Sequence, residues 1–151
     1  MRLSTTVLLF QSFSLSAAVL QYYEKDNIYD ENKVFNCYGS VISFGGLENY
    51  RSQARTALNQ RTLPEVSITE LESIISNQWQ GFQVLYKSQA AQPRYFWHKL
   101  PGDSRDHIGT KYILIIDILG NISGLMANTA STTSRTPVTV ANSHMCYIAT
   151  G

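Results

Sequence analysis

Cys37 and Cys146 are the only two cysteines in the chain, and both follow an apolar leader. The leader matters first because it sets the redox compartment. Arg2 supplies a positive start, and Val7-Leu8-Leu9-Phe10 with Phe13 and Leu15 supply a short apolar stretch. Ala17-Ala18 supply the small residues beside which a signal peptidase cuts. The stretch is too short to span a bilayer. Residues 1–20 therefore read as a secretory signal peptide, with a buried N-terminal helix as the alternative, and residues 21–151 as one domain. Exported chains meet an oxidising compartment, so the two cysteines are expected to pair and to tie the start of the mature chain to its end. Chain-entropy arithmetic assigns a closed loop of roughly 110 residues about 4.7 kcal/mol, less any native strain. Free redox-active thiols are the alternative, but no Cys-x-x-Cys is present.

Removing residues 1–20 from the 151 leaves 131, enough for a single core. The chain holds 12 Lys+Arg and 11 Asp+Glu; losing Arg2 with the leader makes these 11 and 11. That balance argues against gripping nucleic acid by bulk charge, which needs many basic groups. A local basic strip stays open. Nine Tyr, six Phe and two Trp suit both cores and contact surfaces. No later apolar run is long enough for a membrane anchor.

Residues 21–33 are polar, with Tyr22, Tyr23 and Tyr29 interleaved, and read as a mobile arm or an edge strand. Phe35-Asn36-Cys37-Tyr38 looks extended, and Gly45-Gly46 are expected to break the chain ahead of a helix. In that helix Leu47, Tyr50, Ala54, Ala57 and Leu58 share one face, while Glu48, Arg51, Gln53 and Arg55 fall mainly on the other. Ser67-Ile68-Thr69-Glu70 matches a capping box opening a second, short helix with Ile68, Leu71 and Ile75 together. Strand formers then dominate at 82–86, 94–100, 111–118 and 122–127, and 111–118 reads as buried on both faces. Loops are expected at 101–106 and in the Ser/Thr-rich 129–139. The order implies an α+β fold, one main helix packed on a central antiparallel sheet.

The chain is poor in recognisable chemistry. His98, His107 and His144 are the only imidazoles, and no Cys/His cluster has metal-ligand spacing. No cofactor or metal is expected. On a strand His98 would share a side with Phe96, and Glu65 or Glu70 would be its nearest partners for an acid-base pair. The alternative is ordinary surface histidines. Arg94, Trp97, His98, Lys99, Arg105, His107 and Lys111 form a candidate contact surface for RNA or a partner, since cations beside exposed aromatics bind single strands through phosphate contact and stacking. A charged loop without a ligand is the other reading. Asn121-Ile122-Ser123 fits the N-glycosylation pattern, and Asn beside Gly120 equally suits a hairpin turn.

Leader, aromatic-x-Cys element at Phe35-Asn36-Cys37, helix, antiparallel strands and late cysteine come in an order that resembles the small secreted fungal ribonucleases of the guanyl-preferring T-one and F-one type. Arg94-Tyr95-Phe96-Trp97 resembles their central-strand segment, and 113–124 their next hairpin. More closely, the chain resembles the ribonuclease-like secreted (RALPH) effectors of powdery mildew fungi. The resemblance implies a microbial ribonuclease-like fold. It also implies slots for a catalytic set, and these hold the wrong residues. The Tyr-Pro-His element has Leu63-Pro64-Glu65 as its nearest counterpart, the glutamate base falls at Phe96, and the arginine falls near Tyr112 with Lys111 as a displaced substitute. The histidine acid falls at Asn128, which can hydrogen-bond but not transfer a proton at neutral pH.

The expectation is therefore a pseudo-ribonuclease and not an enzyme. It would be secreted, translocated into host cells, monomeric and off the membrane, acting by binding host plant proteins and weakly, if at all, RNA. The resemblance also implies recognition by an intracellular immune receptor. An active ribonuclease with a rearranged site, or a small structural or inhibitor protein of the fungal surface, are the competing readings.

Overall fold

Residues 112–116 carry apolar side chains at successive positions rather than alternating ones, so a strand there needs cover on both faces. The computed structural model supplies it. Described are residues 23–78, 82–101, 111–128 and 138–149. The leader, the loop residues 102–110 with Arg105 and His107, and 129–137 of the Ser/Thr-rich stretch lie outside the described residues.

The strands in chain order are β1 (Glu24–Lys25), β2 (Val34–Cys37), β3 (Ser40–Ser43), β4 (Glu65–Val66), β5 (Leu85–Tyr86) and β6 (Tyr95–Lys99). They continue with β7 (Lys111–Asp117), β8 (Ile122–Asn128), β9 (His144–Met145) and β10 (Tyr147–Ile148). The helices are α1 (Phe44–Asn59) and α2 (Ile68–Asn77). The central sheet runs β4-β6-β7-β8-β9, antiparallel throughout. A second antiparallel sheet runs β10-β2-β3, and β1 pairs with β5 in parallel. This is the α+β class expected, with the main helix on one side of the central sheet and the short second helix on the other.

The two faces of β7 belong to different cores. Leu114 and Ile116 join Phe96, Leu125 and Ala127 beneath Phe44, Leu47 and Ala54 of α1. Ile113 and Ile115 join Val66, Tyr95 and Met126 around Leu71 and Ile75 of α2. Ser67 caps α2, its Oγ accepting from the Glu70 N–H at 3.1 Å. Gly45 and Gly46 sit inside the first turn of α1 instead of breaking the chain before it. Glycine costs a helix about 1 kcal/mol, and Phe44 and Leu47 offset that by burying their side chains on either side of the pair.

The Cys37–Cys146 disulfide is formed, its Cα atoms 4.7 Å apart. It fastens β2 to the link between β9 and β10. A two-residue turn, Tyr38-Gly39, reverses β2 into β3 with φ of 52° and 88°, both in the left-handed region that such hairpin turns require.

The described part of the arm, residues 23–33, is neither solvated throughout nor a simple edge strand. Beyond β1 it folds inward, and Lys33 is fully buried with Asp30 5% exposed. The Lys33 ammonium donates to Asp30 Oδ1 (2.8 Å), Asn27 Oδ1 (2.8 Å) and the Ile122 carbonyl. Asp30 also accepts from Arg51 Nη1 (2.9 Å) and the Ile122 N–H (3.1 Å). Arg51 and Arg55 thus face the arm and the hairpin turn, not open solvent on the far side of α1; Arg55 Nε donates to the Gly120 carbonyl at 2.7 Å.

Candidate functional site

Helix α1 ends in a way that shapes the surface beside it. Gln60 caps it, and the next residue, Arg61, takes φ 57°. The Arg61 N–H bonds the Leu58 carbonyl and the Thr62 N–H the Ala57 carbonyl, each at 3.0 Å. Those paired bonds are a Schellman motif, whose left-handed position glycine usually holds. The chain then turns back through Leu63 and Pro64 into β4, where Glu65 lies opposite Phe96.

Between this helix end and the start of β6 lies a groove of about 660 Å³. Leu58, Leu63, Phe96 and Ile118 form its apolar lining, and Arg61, Glu65 and Arg94 its charged one. Arg94 grips Glu65 with both arms of its guanidinium, Nε to Oε1 at 2.9 Å and Nη2 to Oε2 at 2.7 Å. The same guanidinium lies 5.4 Å from the Phe96 ring centroid. The hydrogen bond from Arg94 holds the Glu65 carboxyl below its ordinary range, against an opposing push from burial. No ion pair involving Arg61 is formed among the described residues.

The four slots implied by the ribonuclease resemblance do not assemble. Glu65, Phe96 and Tyr112 share the α1 face of the sheet, and Phe96 is buried in that core. Asn128 lies on the other face. The register that pairs Lys111 with Asn128 and Tyr112 with Ala127 puts Lys111 and Asn128 together and opposite to Tyr112. Asn128 Nδ2 donates to the Asn142 carbonyl at 2.8 Å and Oδ1 at 3.0 Å, locking the turn before β9. Its role there is structural.

His98 does share the side of Phe96, half-buried, and burial pushes its imidazole below the ordinary value. Its expected carboxylate partners are elsewhere. Glu65 is held by Arg94, and Glu70 stands in the first turn of α2, on the opposite face. Among the described residues the His98 imidazole makes no hydrogen bond.

The expected contact strip is likewise divided. Trp97, Lys99 and Lys111 point to the α2 side, where Trp97 packs half-buried on the core. Arg94 and His98 point to the α1 side. Strand alternation separates neighbours in sequence onto opposite faces, so Arg94, Trp97, His98, Lys99 and Lys111 form no single surface; Arg105 and His107 lie outside the described residues. Asn121 closes the hairpin turn, its N–H donating to Asp117 Oδ1 at 2.9 Å after Gly120 at φ 80°. Its neighbour in the glycosylation pattern, Ser123, is buried. Among the described residues no group of three or more His, Cys, Asp or Glu is placed to hold a metal, and no helix is long and apolar enough to cross a membrane.

Sequence reasoning missed Arg61 and the Asp30–Lys33 pair. The one signal for Arg61 was a helix ending without a glycine. Fold and groove together define a disulfide-stapled α+β domain with a charged groove at the end of its main helix. No family model, no curated protein and no solved structure matches the chain.

Proposed function

We propose that the chain is an exported effector of a plant-infecting fungus, built on a ribonuclease-like scaffold that has lost its chemistry, and that it acts by binding proteins of the host cell. The order of leader, aromatic-x-Cys, helix, antiparallel strands and late cysteine supports the kinship. The observation that carries the loss of chemistry is the state of the α1 face. Phe96, at the position the resemblance gives to the base, is buried in the core, and Glu65 opposite it is paired with Arg94, which lowers the carboxyl below its ordinary range. A carboxylate whose proton affinity is lowered in this way is a weaker general base near the working pH. Binding then falls to the groove and the loops around it. An intracellular immune receptor of the plant is a further expected partner by the same kinship.

One arrangement favours an active ribonuclease instead: Glu65, Arg94 and His98 lie on the same side of the sheet. A single assay separates the two. The purified, oxidised mature chain is incubated with RNA, and no cleavage is expected. Turnover that disappears in His98→Ala establishes the enzyme and ends the proposal. A tagged mature chain followed during infection is expected inside plant cells; retention at the fungal surface refutes the host-binding role.

A further inference from the structure

Arg61 occupies a position that glycine fills at least strain, and it has no ionic partner among the described residues. Non-glycine residues held in the left-handed region tend to mark functional sites. The rest of the groove says what Arg61 would meet. Arg94 is already engaged with both oxygens of Glu65, so the groove offers one uncommitted guanidinium. One guanidinium matches one carboxylate in a bidentate pair. A phosphate backbone needs several cations and would also face the Glu65 carboxylate.

The backbone adds a second element. The Trp97 N–H bonds the Pro64 carbonyl at 3.0 Å, and Glu65 is the next residue along β4. Antiparallel alternation therefore turns the Glu65 N–H and carbonyl away from β6, toward the free edge of the sheet. Glu65 is exposed there. An extended peptide can bond such an edge while seating side chains in an adjoining pocket.

We infer that this groove binds an extended acidic peptide, with a carboxylate side chain on Arg61 and a neighbouring apolar side chain between Leu58, Leu63 and Ile118. This rests on the proposed role as a binding protein and names the chemistry of what is bound. The left-handed backbone at Arg61 is then a stability cost kept for the ligand's sake. A cation at this helix end also answers the carbonyl dipole, and that purely structural role makes the opposite prediction for stability.

The experiment is a titration of the oxidised mature chain with a capped peptide of alternating Asp and Leu, followed by amide chemical shifts. The same peptide with Asn for Asp is the control. Shifts confined to the α1 end, β4 and the start of β6 are expected with the Asp peptide. Arg61→Gly is expected to weaken binding about tenfold, the loss of a charge-assisted pair, while raising Tm by roughly 2–6 °C. Arg61→Lys, which keeps the charge but not the fork, is expected to bind between wild type and Arg61→Gly. Equal binding of the Asn peptide, unchanged affinity in Arg61→Gly, or a lowered Tm in that variant overturns the inference. So does a groove that responds only to inorganic phosphate or to a single-stranded RNA oligonucleotide. Cleavage of that oligonucleotide by the wild-type chain refutes the non-enzymatic role itself, a readout separate from the Arg61 comparison.

Discussion

Two carboxylates in this molecule are each gripped by arginine, and they do opposite jobs. Asp30 is 4% exposed at its side chain and sits among Lys33, Arg51 and the backbone of Ile122. Glu65 is 42% exposed and Arg94 53%, at the rim of a groove. Pairing chemistry is nearly the same. Burial decides the outcome, because a buried charge cannot exchange its partner for water whereas an exposed one can. The first cluster holds the N-terminal arm, α1 and the β7–β8 hairpin in one arrangement. The second adds little to stability and shapes the rim of the groove.

Breaking the buried cluster should therefore have the largest effect. Asp30→Asn leaves the Lys33 ammonium buried without its paired carboxylate, and removal of one partner of a buried pair costs about 3–5 kcal/mol. The urea midpoint should fall accordingly. A fall as small as that of an exposed-site control would show that the arm is not anchored there. Next comes Cys37→Ser, which unlocks the covalent tie of β2 to the chain's end and should cost about 2–5 kcal/mol. Melting that is the same with and without reductant would contradict it.

The contrast also explains what could be read from sequence. Successive Ile and Leu in β7 announce burial on both faces, and Ser67 with Glu70 announces the start of α2, because these signals are local. The disulfide followed from compartment alone. Asp30 and Lys33 were invisible. Their partners Arg51 and Ile122 lie 21 and 92 residues from Asp30, and a polar arm reads as solvated until something is packed on it. The faces on which Phe96, Tyr112 and Asn128 lie were illegible for another reason. Faces depend on pairing register, and the register sets Asn128 opposite to Tyr112.

Removing the exposed carboxylate should change little in stability. Glu65→Gln keeps the shape of β4 and is expected to leave Tm within about 2 °C, since exposed pairs are screened by solvent and salt. Whatever stability the pair does add has a fixed sign. The carboxyl's folded value is depressed, so its contribution is present above the ordinary value of 4.5 and is lost as pH falls through the folded value. A drop in Tm comparable to that of Asp30→Asn would erase the distinction between the two clusters.

The smallest effect gives the sharpest view of which partner Glu65 keeps. A histidine that gains a carboxylate titrates above its ordinary value, and one that is only desolvated titrates below it. His98 lies on the same side of the sheet as Glu65, and burial alone places its imidazole below 6.5. The unfolded chain then binds the proton more readily than the folded one. Stability should fall modestly as pH drops from 6.5 through the folded value, and His98→Gln should flatten that part of the curve. An NMR titration of the imidazole checks the direction in the wild-type chain. Repeating it in Arg94→Gln frees the Glu65 carboxylate, and an upward move of His98 would then show that Arg94 had been keeping the two apart. A wild-type value above 6.5 would mean that His98 already has its carboxylate, and the groove would have to be read as an acid-base site rather than a docking surface.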